Sequence, residues 1–148
     1  MTRDTTTGSN YEDVIKSCIT RSAKKNNFKA VPQSLVGQKP GGGKHKVDYE
    51  LIDLFDDDIR GLISCKFQST SGTAEEKIAY EVIKLLHTMK LDVRYKKSWI
   101  VLGGDGWSAQ MKKFALEHLA EWIPEMIGKV EVVPSTDKFL TIDIKINS

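Results

Sequence analysis

An aspartate, a lysine and a glutamate are spaced in this chain like the working groups of metal-assisted phosphodiester hydrolysis. Asp48 follows a stretch rich in glycine and lysine and opens a strand. Lys66 closes a second strand, with Ser64 two places before it, and Glu81 stands on the helix that follows. Mg²⁺ is held by one or two carboxylates plus substrate oxygens. The cation acidifies its water and neutralises charge building on the phosphorus. A lysine at hand orients that water and stabilises the transition state. One aspartate holds Mg²⁺ poorly, so a second acid is required, and beside the lysine the chain has serine.

Two strands and a helix must position these groups. Val47 to Phe55 reads as a strand, broken by the acidic turn Asp56-Asp57-Asp58, with Arg60 to Phe67 as its hairpin partner. Along the second strand Leu62, Ser64, Lys66 and Gln68 share one face, and Ile63, Cys65 and Phe67 the other. The apolar set is expected inward and the polar set outward. Thr73 with Glu76 makes a capping box. The helix it opens runs to about Lys90, with Ile78, Val82, Leu85, Leu86 and Met89 as its apolar stripe.

The flanking segments complete a sheet. Ser9 or Asn10 caps a first helix with Tyr11, Val14, Ile15, Cys18 and Ile19 at helical spacing. A short strand is expected around Phe28 to Val31, and Gln38 to Lys46 reads as a loop. Ser98 to Leu102 is a dense apolar strand, central in a sheet. Ser108 caps a further helix carrying Met111, Phe114, Ala115, Leu119 and Trp122 on one side. Trp99 and Trp122 read as core, and Val130 to Val133 and Phe139 to Ile146 as closing strands. This order predicts an α/β fold, a mixed central sheet flanked by helices. One domain is expected over 1–148, with residues 1–9 flexible.

Composition narrows the class. The chain is 40% hydrophobic and 28% charged, as in soluble globular proteins. No apolar run approaches the ~20 residues of a membrane span, and the polar N-terminus lacks a signal-peptide core. Cys18 and Cys65 have no pairing spacing and read as reduced thiols of a cytoplasmic protein. Residues 1–47 hold nine Lys/Arg against three acids, a net of +6. That distribution suits a polyanion next to an acidic strand, and equally a solvated face. The three histidines lack metal-ligand spacing. Gly37 to Lys44 fails the phosphate-loop pattern on spacing and on His45.

On these residues the chain resembles the PD-(D/E)XK nuclease superfamily, from Tyr11 to about Trp107. Val47-Asp48 matches the "PD" position and Ser64-Cys65-Lys66 the "(D/E)XK" position. Tyr11-Glu12-Asp13-Val14 looks like the first helix with its metal-site glutamate, and Gln68 matches an accessory glutamine. Phe67-Gln68 with Ser71 to Lys77 looks like restriction-type members. Ser64 departs from the usual acid. A branch of restriction endonucleases reads S-x-K and moves that carboxylate to the next helix, where this chain offers Glu81 and Glu75. Glu81 flanks the buried stripe beside Ile78 and Leu85 and is preferred by spacing; its alternative is a surface residue paired with Lys77 or Lys84.

The resemblance implies a restriction-endonuclease-like fold and a Mg²⁺-dependent DNA endonuclease, with Mn²⁺ able to substitute. Asp48, Glu81 or Glu75, and Glu12 would bind metal. Lys66 would activate water, and Gln68 would complete the site. Lys39, Lys44, Lys46, Ser71 and Thr73 would contact double-stranded or branched DNA. Cutting both strands calls for two sites, hence a homodimer, with no membrane role. A type II restriction-type enzyme comes first. A Holliday-junction resolvase or other phage or repair nuclease is the alternative, as is a catalytically inactive DNA-binding module.

Overall fold

The computed structural model describes residues 8–68 and 75–147, with backbone alone at 8–10 and 75. Five strands form one sheet in the order β1-β2-β3-β4-β5. They are β1 Phe28–Gln38, β2 Lys44–Asp53, β3 Arg60–Phe67, β4 Tyr95–Gly103 and β5 Val130–Val133. The first three run antiparallel and the last three parallel. Parallel neighbours need a crossover, and helix α2, Glu75–Leu91, supplies the first. The second runs through α3 Ala109–Lys113, a π-helical turn Phe114–His118 and α4 Leu119–Trp122. Helix α1, Gly8–Asn26, and the single turn α5, Thr136–Phe139, lie on the opposite face. The chain thus adopts the α/β architecture its sequence predicts, a mixed sheet flanked by helices.

Each face has its own core. Leu62, Ile100 and Leu102 pack with Ile78, Val82 and Leu85 of α2. Ile63, Trp99 and Val101 pack with Tyr11, Ile15 and Ile19 of α1. Because both faces are covered, the polar side of β3 is not outward as expected: Leu62 and Ser64 are buried beneath α2.

The β1–β2 hairpin turns over part-way along its length. At its base Phe28, Ala30, Tyr49 and Leu51 face α1. Beyond it Val36 and Val47 face α2, and His45 bonds Thr88 of α2 at 2.7 Å. Side chains on an unbroken strand keep one parity, so both strands reverse between these points. The pairing register puts Gln33 opposite Asp48 at the reversal, and Gln33 has φ 52°. A left-handed residue in an edge strand gives the twist. Gln33→Val should cost about 1–2 kcal/mol, since β-branched residues are excluded from that region. Gln33→Gly should stay within about 0.5 kcal/mol of wild type. Equal urea midpoints for the two variants would refute this account.

Several sequence expectations are corrected. β1 is 11 residues long; its Pro32 is tolerated because an edge strand need not donate outward. The expected loop shrinks to the turn between Gln38 and Lys44, because His45 and Val47 alternate inward and draw Lys44 and Lys46 into β2. β2 ends at Asp53, whose Oδ2 accepts from the N–H groups of Phe55 and Asp56 and folds the chain out of the ladder. Helix α1 begins at Gly8, two residues inside the stretch expected to be flexible. Ser108 caps α3 as expected. Leu119 N–H reaches back five residues to Phe114 C=O; that inserted residue turns Trp122 outward, 80% exposed. Phe139 to Ile146 is not a strand. Its alternation buries Ile144 and Ile146 against the α1 face, and side chains of Ser22 and Asn26 satisfy the Ile144 backbone in place of a ladder. Thr73, with its capping box, lies outside the described residues.

A buried polar network fixes the middle of the sheet. Glu50, 6% exposed, accepts from Ser34 Oγ at 2.7 Å, Arg60 Nη1 at 3.0 Å and Tyr95 Oη at 2.5 Å. It ties β1, β2, β3 and β4 together on the α2 side, two residues from Asp48.

Candidate active site

Asp48 is placed by the hairpin reversal and by the parting of two strands. The β2–β3 ladder ends at the Tyr49–Ile63 rung. Past it the Cys65 N–H finds its acceptor in the Asp48 side chain, at 2.7 Å to Oδ2. The carboxylate is thereby pinned to the middle residue of Ser64-Cys65-Lys66. It lines a cleft of about 640 Å³ with Tyr11, Glu12, Gln33, Tyr49, Cys65 and others. Burial, with the Asp48 charge adding to it, pushes the Cys65 thiol well up, so that thiol stays protonated.

The next residue carries the second half of the arrangement. Lys66 Nζ lies 2.8 Å from Oε1 of Glu81. Glu81 is 3% exposed, with Ile78 and Leu85 buried alongside it on the face of α2 turned to the sheet. Lys84, one turn on, reaches the same oxygen at 3.0 Å. Burial alone would raise the Glu81 carboxyl; Lys66 and Lys84 outweigh it and hold the group below the usual carboxylate range. Ser64, small and buried, precedes the lysine on the same face. Asp48 thus approaches the Ser64–Lys66 segment from the cleft side through Cys65, and Glu81 from the helix side through Lys66.

Helix α1 brings Glu12 to the cleft. Tyr11 lies so close to β4 that a Cβ on Gly103 would stand 2.1 Å from its ring. Its hydroxyl donates to Val101 O at 2.8 Å. With Tyr11 locked down, Glu12 is carried to the rim, exposed, across the cleft from Asp48.

A family model described as a PD-(D/E)XK nuclease superfamily domain matches residues 5–145. The chain belongs to the PD-(D/E)XK nuclease superfamily. No curated protein matches it. PD-(D/E)XK nucleases generally use divalent metals, and the donor types here suit one, although Glu12, Asp48 and Glu81 do not close into a single three-carboxylate cluster. The carboxylates are hard oxygen ligands, Asp48 engages only Oδ2 among the described residues, and the buried Glu81 carboxylate already gathers two cationic groups.

The remaining sequence candidates of this PD-(D/E)XK domain divide. Gln68 turns its amide nitrogen to Gly106 O at 3.2 Å, buttressing the turn after β4. Lys44 and Lys46 are exposed on β2 and Lys39 is half-buried in the hairpin turn. That tip is docked, not free: His87 of α2 bonds Gln38 O at 3.0 Å. Ser71, Thr73 and the Glu75 side chain lie outside the described residues. Asp56, Asp57 and Asp58 bring their carboxylates together, but in the β2–β3 turn, at the opposite end of β3 from Lys66. Sequence reasoning missed Gln33 at the reversal, and it had Lys84 only as a surface partner of Glu81. Lys84 was open to detection, because an i+3 lysine beside an acid on the buried stripe must share that acid's surroundings.

Proposed function

We propose that this chain is a Mg²⁺-dependent DNA endonuclease of restriction type, in which a helix glutamate replaces the acid absent at Ser64. The observation carrying this reading is the buried Glu81 carboxylate 2.8 Å from Lys66. Asp48 and Glu81, with Glu12 from the cleft rim, would hold the cation. When bound, that cation supplies an acidified water and neutralises charge on the phosphate. Lys66 donates to a phosphate oxygen and orients the attacking water. Lys39, Lys44 and Lys46 bind backbone phosphates, which gives affinity without sequence information. Ser71 and Thr73 are proposed as further DNA contacts. Duplex cleavage calls for a homodimer, in the cytoplasm. A Holliday-junction resolvase or another phage or repair nuclease is the variant of this reading in which branched DNA is the substrate.

Nicking of supercoiled plasmid, linear duplex and four-way junctions tests this. Wild type should cut one of them with Mg²⁺ or Mn²⁺ and stop in EDTA. Lys66→Met and Glu81→Gln should each lower the rate about 10²–10³-fold, and Glu75→Gln should not. Cutting that survives EDTA would refute the metal reading. No cutting of any form would favour the second reading, a nuclease-fold DNA-binding module, whose support is the serine at position 64.

A further inference from the structure

We propose that Lys84 is a built-in competitor for the divalent cation at Glu81 and sets how weakly the site binds it. This rests on the metal-site reading above. One carboxylate oxygen, Glu81 Oε1, takes two ammonium groups, Lys66 at 2.8 Å and Lys84 at 3.0 Å. The pair of lysines leaves the cluster with a net positive charge around a 3% exposed acid. His45 from β2, bonded to Thr88, also feels the Glu81 charge, and burial depresses that imidazole's basicity.

The two lysines are not equivalent. Lys66 is anchored on β3 near its end, and its side chain is 33% exposed, against 18% for Lys84. Lys66 can leave Glu81 for a phosphate oxygen or a water. Lys84 sits one turn from Glu81 on the same helix, and its ammonium also lies over the Tyr80 ring, 5.4 Å from the centroid. It travels with the carboxylate it pairs. Any cation that reaches Glu81 therefore meets the Lys84 charge at close range, in surroundings where charges are poorly screened. Without a cation the same lysine keeps a buried acid from standing unpaired. DNA phosphates would restore the negative charge that Lys84 cancels, so cation binding and DNA binding should favour one another.

Calorimetric titration of the full chain with Ca²⁺, without DNA, reads this directly. Lys84→Met and Lys84→Gln should each bind Ca²⁺ at least about tenfold more tightly than wild type, as removal of a neighbouring like charge requires. Lys84→Arg, which keeps the charge, should match wild type. The glutamine variant retains a donor for Glu81 Oε1 and guards against loss of fold in the methionine variant. Binding in both neutral variants that is unchanged or weaker overturns the proposal. Asp48→Asn separates the two levels. If it leaves Ca²⁺ binding intact, the site reading falls and the proposal with it. If it abolishes binding but the Lys84 variants change nothing, only the Lys84 proposal falls.

Discussion

Asp48→Asn should abolish DNA cleavage and leave the protein as stable as wild type. Asparagine preserves the shape of the side chain and keeps an oxygen to accept from Cys65 N–H, the bond observed at 2.7 Å. What it loses is the anionic charge that, on the proposed reading, holds a divalent cation. Metal stabilisation of charge in the transition state is worth several kcal/mol. At about 1.4 kcal/mol per decade that is roughly 10³-fold in rate. Asp48→Ala should show the same loss of rate and an added loss of stability of about 1 kcal/mol, because the Cys65 N–H is then left without its partner. Nicking rates and urea midpoints on the two variants separate the roles. An asparagine variant that cuts at near the wild-type rate removes Asp48 from the chemistry. One that loses stability as the alanine variant does would mean that the charge, not the acceptor, holds the strand.

The parts of this arrangement differ in how far the sequence discloses them. Helix α2 was legible because Glu81 interrupts an apolar stripe at i−3 and i+4 positions. A residue so placed can turn toward the sheet, and it is found buried there. The bounds of β3 were legible to the residue because turn chemistry sets its start, but the alternation read along it did not show that both its faces are buried. The hairpin reversal was not legible. It depends on a left-handed backbone at Gln33, and nothing in a glutamine announces a positive φ as a glycine would. The C-terminal alternation misled for a related reason. Period-two burial fixes only which side chains go inward, and Ile144 and Ile146 satisfy that without joining a ladder. The Trp122 side failed because one π-helical residue changes the phase of everything after it. Such errors concern phase and register, which pairwise geometry decides, while the identity of each element follows from local pattern.

Glu50→Ala should be the most destabilising single change near the site, by about 3–5 kcal/mol, because it strands a buried partner charge. Glu50 accepts from three donors on three other strands, and the side chains of Glu50 and Arg60 are 8% and 16% exposed. Removing the carboxylate leaves Arg60 Nη1 and the Tyr95 hydroxyl without their acceptor in the middle of the sheet, while Arg60 Nε keeps its bond to Asp57 O. For a domain of this size the loss corresponds to a fall in Tm of roughly 10 °C. Double variants with Arg60→Ala should recover part of it, since the stranded charge is then gone. The same network sets an acid limit. Burial would raise the Glu50 carboxyl, but the bonds from Tyr95, Ser34 and Arg60 outweigh it and hold the group below its ordinary value. A depressed carboxyl contributes its full stability above the unfolded value of about 4.3 and loses it as pH falls toward the folded value. Wild type should therefore lose stability steeply below that pH, and Glu50→Ala should show a shallower slope there. Parallel slopes would place the acid sensitivity elsewhere. A cost under about 1 kcal/mol, the scale of a surface pair, would mean that solvent reaches the network and that the registration of Asp48 against β3 is secured by the Cys65 bond alone.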